Sequence, residues 1–122
     1  SGRVVYTDRL APLSEEFGNN ILELLKKNSD LDGIFATSDV MAANIIRACK
    51  KMGKRVPEDI SIVGFDDTWI STLTYPSITT IHQPVREMCE YAIEAIVKKV
   101  KSEKVPSQVV FPVELIDRES TK

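Results

Sequence analysis

Ile60-Ser61-Ile62-Val63-Gly64-Phe65-Asp66-Asp67 is an apolar run that stops on two carboxylates. Its β-branched and aromatic residues mark Ile60 to Phe65 as a strand buried on both faces. Such strands belong to parallel sheets covered by helices, and in open sheets of that kind ligands bind outside the carboxyl ends of the strands. Asp66 sits at that end. A carboxylate there accepts two hydrogen bonds from adjacent hydroxyls of a sugar or from ring N–H groups of a base, each worth roughly 1.5–3 kcal/mol because the acceptor is charged. The plainer reading is that Asp66 caps the turn at Thr68. Asp67 reads as a cap on either view, since successive strand side chains point to opposite faces.

Upstream, Arg55-Val56-Pro57-Glu58-Asp59 reads as a loop, because Pro57 lacks an amide donor and biases Val56 away from helix. Gly33 to Ala36 is a further strand. Between the two lies a helix capped by Ser38 or Asp39, running through Met52 and terminated by Gly53. Met41, Ile45, Ala48, Cys49 and Met52 form its core stripe. Ser14 caps an earlier helix over Glu15 to Lys27, with acids in the first turn, lysines in the last, and Ile21, Leu24 and Leu25 facing inward. Val4 to Tyr6 reads as a short strand. Downstream, Thr68 to Leu73 is a turn or brief helix that ends before Pro76, and Thr79 to His82 is a β-branched strand. Pro84 opens a last helix whose apolar face carries Val85, Met88, Cys89, Ala92, Ile93, Ile96 and Val100. Val109 to Ile116 is extended, and Pro112 confines it to an edge or crossing strand. The alternation of strands and helices predicts an α/β fold with a parallel, doubly covered sheet.

The arrangement at Asp66 recurs. Ser38 and Asp39 form a polar pair after the strand Gly33 to Ala36; helix capping accounts for Asp39, which leaves Ser38 to face a ligand. Gln83 ends another strand. Three polar strand ends at one sheet edge predict a shared crevice. His82 is the single histidine; without a second imidazole or a nearby cysteine pair it reads as structural rather than as a metal ligand. Trp69 can stack on a ligand, but just past a sheet edge it reads more simply as packing against a neighbouring loop or subunit. Lys98, Lys99 and Lys101 read as the solvated side of the last helix.

The 122 residues, 43% hydrophobic and 28% charged, suit one soluble domain with no second core. A net charge of −2 and a pI near 5.4 supply no basic field for nucleic acid, so these residues alone are not a DNA-binding surface. The apolar runs fall far short of the roughly 20 residues that span a bilayer, and Ser1-Gly2-Arg3 lacks the apolar core of a signal peptide. Cys49 and Cys89 are expected to be buried free thiols, which favours a reducing compartment. No G-x-S-x-G, H-E-x-x-H or glycine-rich phosphate loop is present, so neither catalysis nor a cofactor or metal is expected.

Three ordered stretches carry a family likeness. Ile34-Phe35-Ala36-Thr37-Ser38-Asp39-Val40-Met41-Ala42-Ala43, then Gly53-Lys54-Arg55-Val56-Pro57-Glu58-Asp59-Ile60-Ser61-Ile62-Val63-Gly64-Phe65-Asp66-Asp67, then Pro76-Ser77-Ile78-Thr79-Thr80-Ile81-His82-Gln83-Pro84 resemble the effector domain of LacI/GalR transcriptional regulators, most of all those of sugar operons and catabolite control. The likeness extends to the ending Leu115-Ile116-Asp117-Arg118-Glu119-Ser120-Thr121. It implies a periplasmic-binding-protein-like (type I), three-layer fold in which two subdomains clamp a small, sugar-like effector. Asp66 would grip the effector, with Ser38 and Asp39 after the preceding strand, Gln83 at the hinge crossing, and Leu13 where many members carry an aromatic stacking residue. Asn44 stands where the family often has Gly.

The resemblance also implies that the chain is a fragment: residues 1–83 an incomplete C-terminal subdomain, 84–104 a helix that normally belongs to the N-terminal subdomain, and 105–122 the return crossing and final strand. The DNA-binding domain and an arginine that commonly contacts the effector would lie outside it. A cytoplasmic homodimer is implied, joined through the faces containing Ala43, Ile46, Arg47, Leu73 and Tyr75, and reaching operator DNA only through the absent N-terminal domain. The exposed face of the last helix is expected to pack against a second copy or fold back onto the sheet edge. Two other readings compete. A periplasmic-type sugar-binding protein of a transport system shares the fold; a phospho-acceptor receiver domain matches in length, but lacks a second acidic strand end and a lysine strand end in the required order.

Overall fold

The computed structural model describes residues 15–122. The expected strand at Val4 to Tyr6, the Ser14 cap and Leu13 lie outside the described residues. The elements run α1 (Glu15–Lys27), β1 (Gly33–Phe35), α2 (Asp39–Lys51), β2 (Ser61–Asp66), α3 (Ile70–Leu73), β3 (Thr79–His82), α4 (Val85–Val100) and β4 (Glu114–Ile116). Strand order in the single sheet is β1-β2-β3-β4. The central strand is displaced by one residue from its expected span: Ile60 donates its amide to Arg55 in the preceding loop, and Asp66 pairs in register with His82.

β1, β2 and β3 are parallel, but β4 runs antiparallel to β3, which corrects the expectation of an all-parallel sheet. The cause lies in α4. A parallel connection needs a crossover that packs on the sheet and returns the chain to its starting edge. No residue of α4 is buried, so it makes no such crossover and the chain re-enters from the carboxyl edge. Only Glu114–Ile116 of the extended tail pairs, beyond Pro112, where every amide can donate.

Coverage of the sheet is likewise one-sided among the described residues. Ile34, Ile62, Gly64 and Thr80 share a face by register and lie under α2, with α1 packed on α2 behind it. Ile21, Leu25, Ala42, Ile45, Ile46, Ala48, Cys49, Ile60, Ile62 and Ile78 form one core. On the opposite face a cross-strand row of Phe35, Val63, Phe65, Ile81 and Leu115 has no helix over it, and Phe35 is 58% exposed. Phe35 and Phe65 meet edge to face with ring centroids 6.2 Å apart. The continuous apolar run of β2 reads as two-sided burial because both its faces are apolar; only one is covered here.

α4 does not fold back onto the sheet edge. Its ring contact is between Tyr91 and Phe111 of the returning segment, centroids 5.9 Å apart, and Val85, Met88, Ile93, Ile96 and Val100 stay exposed. Cys89 is exposed with them, contrary to expectation, whereas Cys49 is buried and its thiol pKa is raised by that burial. α2 ends as expected: Gly53, at φ 71°, turns the chain in the left-handed region that costs glycine nothing.

The tail beyond β4 is stitched into the opposite end of the sheet. Ser120 is fully buried; its carbonyl accepts from the Ile62 amide at 2.8 Å, and its hydroxyl donates to the Ile62 carbonyl at 2.5 Å while accepting from the Thr79 amide at 2.8 Å. Glu119 accepts from the Ser77 amide and hydroxyl, both at 2.9 Å.

One buried charge fastens the other end. Asp39 has no exposed surface; its Oδ1 accepts from Thr80 Oγ1 at 2.5 Å, and its Oδ2 from the Thr68 amide at 2.6 Å and Thr68 Oγ1 at 3.0 Å. To reach β3 and the β2–α3 turn together, the carboxylate lies directly over β2 at Gly64. A Cβ at Gly64 would stand 2.5 Å from Asp39 Oδ1 and 3.0 Å from Ile78 Cγ2, both immobile. Gly64→Ala is therefore expected to destabilise the protein by about 2–3 kcal/mol, the cost of overpacking a closed site. Urea denaturation checks this, and a loss below about 0.5 kcal/mol would show that helix and strand separate freely.

Candidate functional site

β2 ends in an unusual backbone. Asp66 and Asp67 have φ of 102° and 53°, consecutive positive values at residues that are not glycine. Each such conformation costs on the order of 1–3 kcal/mol and persists only where the surroundings hold it. The holding groups come from four directions. Asp39 of α2 takes the Thr68 amide, and the Asp67 amide points to Thr80 Oγ1 of β3 at 3.4 Å. Asp67 Oδ1 accepts from Arg118 Nη2 at 2.7 Å and from Ser71 Oγ of α3 at 3.3 Å, and Asp67 Oδ2 lies 3.0 Å from His82 Nδ1. The result aims Asp66 at Gln83, whose Nε2 donates to Asp66 Oδ1 at 2.7 Å.

Burial pushes the Asp67 carboxyl pKa upward, but the bonds from Arg118 and His82 and the Arg118 charge outweigh it and hold the group below the usual carboxylate range. Arg118 is itself fixed: its Nη1 donates to Ser71 Oγ and to the Ile78 carbonyl, both at 2.9 Å. Its amide donates to Thr79 Oγ1 at 2.9 Å.

The expected site residues separate into two groups. Asp66 and Gln83 are half-buried and bonded to each other at the carboxyl edge of β2 and β3. Ser38 follows the end of the parallel neighbour β1 at the same edge; its Oγ accepts from the Met41 amide at 3.2 Å, making it the N-cap of α2, and the hydroxyl hydrogen remains to be donated. Asp39 departs from expectation twice. It does not cap its own helix, and it is buried beneath the edge, where it serves the β2–α3 turn. Asp67 is no backbone cap either, because Asp39 has taken the Thr68 amide and Asp67 bonds side chains instead.

His82, read as structural, lies with Nδ1 3.0 Å from Asp67 Oδ2. Trp69 stands exposed at the start of α3, covered by no loop among the described residues, which leaves a subunit as its expected packing partner. Of the expected dimer residues, Arg47 is exposed, Ala43 half-buried, and Leu73 and Tyr75 stand 73% and 89% exposed, whereas Ile46 is only 7% exposed and belongs to the core. Its side chain points into α2's packing face and offers a partner almost nothing. Among the described residues no group of His, Cys, Asp and Glu is arranged to hold a metal, and no helix is long and apolar enough to cross a membrane. Sequence reasoning missed Arg118. Its partner lies 51 residues away, so Arg118 stands out only as one member of the family-like ending Leu115 to Thr121, with no role attached.

The Periplasmic binding protein-like domain family matches residues 5–121. The ribose operon repressor of Halalkalibacterium halodurans is 37% identical over 100 residues, 81% of this chain and 30% of the repressor. A solved complex of the transcriptional regulator CelR with cellobiose is 33% identical with a TM-score of 0.80, covering 84% of this chain and 32% of that one. A periplasmic binding protein/LacI transcriptional regulator from Alkaliphilus metalliredigens, solved with D-xylulofuranose, is 38% identical with a TM-score of 0.74, covering 85% of this chain and 41% of that one. The chain spans about 30% of the length of the curated relatives it matches. With that match across nearly all its residues and relatives of this kind, the chain belongs to the periplasmic binding protein-like domain family, in the form carried by transcriptional regulators of the LacI type.

Proposed function

We propose that this chain is the effector-sensing and dimerising part of a cytoplasmic LacI-type repressor, and that its effector is a neutral sugar or sugar derivative bound in a cleft between subdomains. The observation that carries the reading is the Asp66–Gln83 pair at the carboxyl sheet edge. Among the described residues Asp66 Oδ2 has no protein partner, Gln83 retains its carbonyl oxygen and one N–H, and Ser38 retains a hydroxyl hydrogen. Acceptors and donors interleaved in this way suit adjacent hydroxyls, each of which donates and accepts. A phosphate would meet a carboxylate and gain nothing from it. The family resemblance would add Leu13 to the residues that meet this effector.

In this reading residues 1–83 build one jaw, 84–104 reach the other, and 105–122 return to complete the sheet. Effector binding changes the angle between jaws, and a homodimer transmits that change to operator DNA through a domain N-terminal to this chain. Arg47, Leu73 and Tyr75 supply the exposed surface for the dimer, beside the half-buried Ala43.

Titration calorimetry of the full-length protein with ribose, cellobiose and D-xylulose is expected to find at least one ligand, and Asp66→Gly to weaken it by about 100-fold. Glycine is the apt replacement because φ 102° suits it, so thermal stability should not fall. Unchanged affinity in a folded Asp66→Gly protein would remove Asp66 from the site. Tyr75→Asp with Leu73→Asp is expected to convert the dimer to monomers in sedimentation velocity; a dimer that survives both charges would place the interface elsewhere.

A further inference from the structure

We infer that Arg118 is a positioning residue for the effector-gripping carboxylate: it clamps Asp67 and thereby holds the strained backbone that points Asp66 at Gln83. The inference rests on the proposed sugar site. Its physical basis is the two consecutive positive φ values, 102° and 53°, which an L-residue keeps only under constraint.

Arg118 is built to supply that constraint. Its backbone is pinned to β3, the amide donating to Thr79 Oγ1 at 2.9 Å and the carbonyl accepting from the same hydroxyl at 3.1 Å. From that fixed point the two arms of the guanidinium diverge. Nη1 reaches Ser71 Oγ and the Ile78 carbonyl, and Nη2 reaches Asp67 Oδ1 at 2.7 Å. Both side chains of the ion pair are only 18% exposed, so water competes weakly. His82 holds the other oxygen of Asp67 from the end of β3. Asp67 is thus gripped at both oxygens, and the peptide joining it to Asp66 cannot rotate to an ordinary extended strand without breaking the grip. Lysine cannot substitute for Arg118, because one ammonium cannot span three acceptors with the planar fork's geometry.

The test uses the full-length protein and a readout that a merely structural role leaves unmoved. In the wild type the Gln83 side-chain amide, bonded to Asp66, is expected to resonate away from free glutamine in ¹H–¹⁵N spectra; in Arg118→Lys it should move to the free position. The affinity for whichever of ribose, cellobiose or D-xylulose binds should fall at least ~10-fold. Glu119→Gln, which loosens the same tail at Ser77, serves as the control and should leave the Gln83 signal in place. If Arg118→Lys does not fold, Asp67→Asn keeps the shape and removes the charge, and the same Gln83 shift is expected.

The pair also has an acid signature. A carboxyl held below its ordinary value of 3.8 contributes stability that is present above that value and lost as pH falls through the lower one. Asp67→Asn should therefore flatten the loss of stability below about pH 4. A wild-type protein that binds none of the sugars defeats the sugar reading alone, since the Gln83 signal still tests the clamp. The clamp is overturned if a folded Arg118→Lys protein keeps the Gln83 signal, if Glu119→Gln shifts it equally, or if Asp67→Asn loses stability in acid as steeply as the wild type.

Discussion

A buried carboxylate passing over a glycine organises this molecule. Asp39 starts α2, crosses β2 at Gly64, and ends on Thr68 and Thr80. It gives the amide of a tight turn its acceptor, ties a helix start to two strands, and leaves no room for any side chain at position 64. A buried charge of this kind is tolerable only when its bonds are complete, and both oxygens here are used. The backbone at the carboxyl edge of β2 depends on the turn that Asp39 secures. The residues that face solvent at that edge are placed by one that does not.

This division of labour explains what could be read from the amino-acid sequence. Periodicity placed α1, α2 and α4, and an unbroken apolar run placed β2, because these patterns are local and the ends carry ordinary stop signals such as Gly53. Asp66 and Gln83 were legible because they sit where strands end, and the position of a strand end is a local property. Asp39 was legible as important but not in its role: a carboxylate after a strand looks like a cap from nearby residues, and its true acceptor duties lie 29 and 41 residues onward. Arg118 was invisible for the same reason, at greater separation. The direction of β4 also escaped, since an extended segment after a helix has the same pattern whether the helix packs on the sheet or not.

The two apolar surfaces share a physical character. Phe35, Phe65, Ile81 and Leu115 form a flat cross-strand row, and α4 presents Ile93, Ile96 and Val100 along a ridge. Neither is scattered surface hydrophobicity of the ordinary kind, which appears as isolated side chains rather than as rows. The polar core at the sheet edge and the bare apolar face lie on the same strands. Among the described residues, the strands that carry this edge are therefore tightly bonded on one side and uncovered on the other.

Ser120 adds a consequence in time rather than in space. Its hydroxyl and carbonyl complete the bonding of Ile62, 58 residues earlier, and Arg118 beside it secures Asp67. A chain made from its amino end cannot form either contact until residues 118 to 120 have left the ribosome. The central strand waits, during synthesis, with its backbone at Ile62 incompletely bonded, and the carboxyl edge of the sheet is secured only when Arg118 arrives. A chain cut short before Arg118 would still carry the core residues of α1, α2 and β2, but nothing would reach across to Asp67 or to the Ile62 carbonyl.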